Sequence, residues 1–167
     1  MRCIVKLSVA LSLLTGCRVQ PEAPPDKPGT SLPLTYPVLL FAKNRIEVVN
    51  TEERLTTTTG ASGPAYQELQ IVDSAGLQFE VQKVTTFGKK SWMLDMGTGQ
   101  YRVHLKMKRL RQLDLQRVKQ MVLEVVREPN STWREYPNGV QVATTIVEGS
   151  QTLGSLMEAC RTSWNWH

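Results

Sequence analysis

Leu77-Gln78-Phe79-Glu80-Val81-Gln82 alternates apolar with polar side chains, the period of a β-strand with one buried and one wet face. The run extends to residue 85. Before it, across the turn formers Asp73-Ser74-Ala75-Gly76, residues 68–72 make a second apolar run, so 68–85 reads as a hairpin. Further upstream, 38–42 and 45–49 are short apolar or alternating runs and read as strands, while 56–64, a threonine run leading into Gly60-Ala61-Ser62-Gly63-Pro64, reads as an exposed loop. Downstream, Trp92, Leu94 and Met96 share one face and Gly97-Thr98-Gly99 tolerates positive φ. Tyr101, Val103, Leu105 and Met107 share a face on the return, which predicts a second hairpin.

The period then changes from two to that of a helix. Behind Asp114 as N-cap, Leu115, Val118, Val122 and Val125 recur at helical spacing and stop before Pro129. Because valine is stiff in helices, a buried strand over 121–126 is the competing reading. Tyr136-Pro137-Asn138-Gly139 is a turn signal between 133–136 and 140–147, which predicts a third hairpin. Last, with Ser150 as cap, Leu153, Leu156, Met157, Cys160 and Trp164 form an amphipathic helical stripe, and Trp166 is expected to fold back onto the sheet. Strands first and helices last predict an α+β domain, an antiparallel sheet of hairpins with one or two helices on one face. Residues 36–167 are enough for one such domain.

Five basic residues and no acid lie between 102 and 111: Arg102, Lys106, Lys108, Arg109 and Arg111. On a strand, Arg102, Lys106 and Lys108 project to one side together with His104, so the charge forms a stripe. Such a stripe suits an anionic lipid headgroup, an acidic glycan or an acidic partner; the competing reading is a solvated strand protected by lysine from self-pairing. The net charge of +5 is too small to argue for nucleic acid.

Catalytic and metal signatures are weak. Cys160 sits among Leu153, Leu156 and Met157 and reads as a core residue, whereas a reactive thiolate needs an electropositive, partly exposed site. Gly60-Ala61-Ser62-Gly63 lacks the spacing of a nucleophile elbow, and Gly97-Thr98-Gly99 has no third glycine for a dinucleotide loop. The adjacent pair Glu52-Glu53, read as strand residues, would point to opposite faces. A set of Ser91, Asp95 and His104 can be drawn but has no spacing to recommend it. No catalytic residues, cofactor or metal are expected.

The N-terminus carries the clearest functional signal. Arg2 and Lys6 precede an apolar run over 7–14, which ends in Leu14-Thr15-Gly16-Cys17. The run is shorter than the roughly 20 apolar residues a bilayer span needs. These 18 or so residues resemble the lipobox signal of bacterial lipoproteins. The resemblance implies a signal peptide over 1–16, cleavage before Cys17, and a thioether-linked lipid with further acylation on Cys17. It also implies a cell-envelope protein held by its lipid. The next residue, Arg18, is not the aspartate that tends to retain such proteins on the inner membrane, so the inner leaflet of an outer membrane, facing the periplasm, is the expected site.

Loss of Arg2 and Lys6 would leave 18 basic against 15 acidic residues. Loss of Cys3 and lipidation of Cys17 would leave Cys160 without a disulfide partner. Residues 17–35, with Pro21, Pro24, Pro25, Pro28 and Pro33, read as a tether reaching on the order of 50 Å at about 3.1 Å per residue. The function expected is a lipid-anchored, non-catalytic binding or assembly module. The alternatives are a lipoprotein immunity factor or envelope inhibitor, and a small envelope hydrolase whose site the motifs do not reveal.

Overall fold

The structure, a computed structural model, describes residues 25–59, 66, 68–87 and 100–163. The lipobox-like segment with Cys17, the strand expected over 92–96 with its Gly97-Thr98-Gly99 turn, Ser91, Asp95, and the tail 164–167 lie outside them.

Strands β1 (Gly29–Thr30), β2 (Val38–Phe41), β3 (Ile46–Val49), β4 (Thr57–Thr59), β5 (Gln70–Asp73), β6 (Leu77–Phe87) and β7 (Gln100–Gln112) form one open sheet. Its order is β1-β7-β6-β5-β2-β3, and β4 also pairs with β7. Every pairing is antiparallel except β1 with β7. Helices α1 (Glu52–Leu55), α2 (Leu115–Arg127), α3 (Gly139–Gly149) and α4 (Leu153–Ser163) complete an α+β fold of the class expected.

The β5–β6 hairpin is held by Asp73. Its Oδ1 accepts from the backbone N–H groups of Ala75 and Leu77 at 3.0 and 2.8 Å, and its Oδ2 accepts from Thr35 at 3.2 Å. Gly76 takes φ +81°, and a Cβ there would lie 2.7 Å from the Leu113 carbonyl oxygen, so this turn requires glycine.

Each face of the sheet has its own core. On one, Leu39, Phe41, Ile46, Val48 and Val72 pack under α2, α3 and α4 through Val118, Val122, Ala143, Val147, Leu156 and Met157. On the other, Val38, Leu40, Val49, Ile71, Phe79, Val81, Val103, Leu105 and Met107 pack with Leu55 of α1 and with Leu32, Leu34 and Tyr36. α1 touches β3 at one end of the sheet and β1 and β4 at the other, so it plugs the gap between the two open ends.

Several expectations need correction. The folded domain starts before residue 36: Gly29 and Thr30 pair with His104 and Leu105, and Ser31 Oγ accepts from Met107 N–H at 2.8 Å. Thr57–Thr59 is a strand of the sheet rather than loop, because its backbone finds partners along the edge of β7. The return strand of the second hairpin pairs with β6 from Arg102 to Gln112.

The third hairpin is replaced by α3. Gly139, Ala143 and Val147 recur every four residues and are buried, and Thr144 and Thr145 donate their hydroxyls to carbonyls four residues back. Gly139 has no room for a Cβ, which would collide with the Trp133 carbonyl. The competing strand over 121–126 is helix: Asp114 Oδ1 accepts from Arg117 N–H at 2.7 Å, and Val118, Met121, Val122 and Val126 face the core. Ser150 closes α3 by donating to Ile146 O. The opening of α4 belongs to Thr152 and Ser155, whose hydroxyls each accept from the other's backbone N–H.

Candidate anion-contact surface

The face of β7 that turns away from Val103, Leu105 and Met107 carries Arg102, His104, Lys106 and Lys108. β6 contributes to the same face through its register. Lys83 stands opposite Lys106, Thr85 opposite His104 and Phe87 opposite Arg102. Strict alternation from Leu77 would put Lys83 on the buried side with Val81. A bulge between Val81 and Lys83 flips it outward, and for that reason the sequence pattern missed it.

Among the described residues, Glu53 and Glu80 temper this face. Arg102 Nη1 lies 3.2 Å from Glu53 Oε1 and Lys108 Nζ 3.6 Å from Glu80 Oε1, both exposed pairs whose contribution to stability is small. His104 Nδ1 is 3.2 Å from the Lys27 carbonyl oxygen, within reach of a hydrogen bond if that nitrogen carries the proton. Lys83 and Lys106 stand directly opposite one another across the strand pair, so both present positive charge on this face.

The other two basic residues of the expected contact, Arg109 and Arg111, lie apart from the stripe. Arg109 pairs with Phe79, which places it on the face of the second core. A second register shift between Leu77 and Phe79 re-aims Arg111, whose Nε–H donates to Gln78 Oε1 at 3.2 Å, and Arg111 lines a cleft beside α2. Gln78, expected on a wet face, is buried and also donates to Gln70 Oε1 at 3.0 Å.

The remaining reactive residues are accounted for structurally. Glu52 and Glu53 occupy the first turn of α1 rather than a strand. Glu52 Oε1 accepts from the Thr30 N–H and hydroxyl, and Glu53 faces Arg102. Cys160 is fully buried in the helix-side core, where burial pushes its thiol up to about 12. Among the described residues no group of three or more His, Cys, Asp or Glu is placed to hold a metal, and no helix is long and apolar enough to cross a membrane. No protein-family model, curated protein or solved structure matches the chain.

Proposed function

We propose that the chain is a lipid-anchored lipoprotein of the bacterial cell envelope, a non-catalytic binding module that meets an anionic envelope component with the outer face of the β6–β7 ribbon. The observation that carries the anchor is Leu14-Thr15-Gly16-Cys17 behind Arg2, Lys6 and an apolar run. Two or three acyl chains on Cys17 hold a protein on a membrane essentially permanently. With the domain beginning near Gly29, the spacer left between Cys17 and the sheet reaches roughly 30 Å at about 3.1 Å per residue, enough to lift the domain off the headgroups. Arg18 after the cysteine favours the inner leaflet of an outer membrane.

The contact reading is supported by the grouping of Arg102, Lys106, Lys108 and Lys83 on one side of two paired strands, opposite Val103, Leu105 and Met107 and lateral to the strands β2, β3 and β5 that the helices cover. Each basic residue close to an anionic surface contributes about 1 kcal/mol. Charge reversal at Lys83, Lys106 and Lys108 tests it. The expected result is loss of envelope components from a pull-down with an unchanged melting temperature. Unchanged capture by the folded triple variant would discredit this face as the contact.

A further inference from the structure

Beside α2, the ends of β2, β5, β6 and β7 leave a cleft of about 370 Å³. Phe41, Met121 and Val125 supply its apolar wall, and Arg111, Lys43 and Glu68 are among its polar lining. Arg117 also lines it, but is engaged with Glu124 at 3.6 Å.

Arg111 is held differently from the other cations of β7. Gln78, only 5% exposed, receives the Arg111 Nε–H on its Oε1 and is itself oriented by its bond to Gln70. The relay uses Nε and leaves both Nη groups without a hydrogen-bond partner among the described residues. A guanidinium fixed through Nε presents a fork that matches the two oxygens of a carboxylate, and its pre-orientation reduces the entropy lost on binding. Val125 and the largely buried Met121 line the same cleft.

We infer that this cleft is a binding site for a carboxylate carried on a short apolar group. Arg111 grips the carboxylate through its Nη atoms, and the apolar group lies against Met121 and Val125. The cleft lies on the same face of the sheet as the ribbon's cations, beside the Lys108–Glu80 pair, and the inference does not depend on the lipid-anchor reading.

The test is an NMR titration of the full-length chain with phenylacetate, following the Arg111 Nε–Hε signal and the Met121 methyl. Phenylacetamide, the uncharged isostere, and inorganic phosphate serve as parallel probes. Saturable shifts of both signals at millimolar phenylacetate are expected for a ligand of this size. Binding should weaken about tenfold or more with phenylacetamide, with phosphate, and in Arg111→Lys, which keeps the charge and loses the fork. Absence of saturable shifts with phenylacetate overturns the inference, as does equal binding of phenylacetamide. Phosphate binding as tightly as phenylacetate would reduce the site to a simple anion contact and contradict the apolar part. Since the three probes are compared on the unaltered chain, the test survives a variant that fails to fold.

Discussion

Asp73 is the side chain on which most of the local backbone depends. Its buried carboxylate answers three backbone N–H groups, from the β5–β6 turn and from Thr35. Asp73→Ala strands all three donors and should cost about 3 kcal/mol or more in urea denaturation, whereas Asp73→Asn, which keeps one acceptor oxygen, should cost roughly half as much. Equal losses would mean that the hydrogen bonds are not the source. Tyr36 is the opposite case. Its Oη is buried without a hydrogen-bond partner among the described residues, and burial, reinforced by the nearby Glu52, pushes the phenol up to about 12. Tyr36→Phe removes an unsatisfied hydroxyl and keeps the ring, so the melting temperature should stay level or rise, by up to about 1 kcal/mol of stability.

Cys160 gives a pH dependence with a definite sign. The unfolded thiol ionises near 9 while the folded one holds its proton to about 12, so the stability it contributes is complete below pH 9 and is lost as pH rises toward 12. Tyr36 adds a further loss from about pH 10, in the same direction. Stability against pH should therefore fall above 9. In Cys160→Ala the fall should begin later and be shallower by at most about 1.4 kcal/mol per pH unit. An identical slope in that variant would contradict the burial of this thiol.

Helices α2 and α3 show when local pattern is legible. α2 could be read because two signals agreed: an aspartate at the cap and an apolar stripe at helical spacing, both used in the structure. The α3 sequence reads as a hairpin because Val140, Val142, Thr144 and Thr145 favour strands, and because a Pro-Asn-Gly sequence commonly closes hairpins. Propensity differences of a few tenths of a kcal/mol per residue yield to packing, here of Ala143 and Val147 in the helix-side core. Gly139 marks the same lesson, serving as the first residue of a helix pressed against the Trp133 carbonyl rather than as a hairpin glycine. Gly139→Ala should cost about 1–3 kcal/mol through forced displacement of that turn, read as a drop in the denaturation midpoint. A neutral effect would argue against this contact.

β-bulges explain what the contact residues concealed. Alternation placed Arg102, His104, Lys106 and Lys108 correctly on one face, yet could not anticipate the two register shifts between β6 and β7. Those shifts bring Lys83 to the face and send Arg111 to the cleft, where Gln78 and Gln70 hold it. A bulge has no dependable mark in a single sequence, so the placement of Lys83 and Arg111 was out of reach. The second core was hidden for another reason: Leu32, Leu34 and Tyr36, which help to fill it, lie in or beside a proline-rich stretch that composition assigns to a tether.

The described residues form a two-core α+β domain, with the cations of the β6–β7 ribbon on the face of the sheet opposite Val103, Leu105 and Met107. The location and purpose proposed for it rest on what happens at Cys17. Intact-mass spectrometry of the protein purified from the membranes of a bacterial host tests this most directly. The account predicts a chain beginning at Cys17 that carries a diacylglyceryl group and a further acyl chain, with the modification lost in Cys17→Ser. An unprocessed chain with an unmodified thiol at Cys17, or a soluble product cut elsewhere, would contradict it.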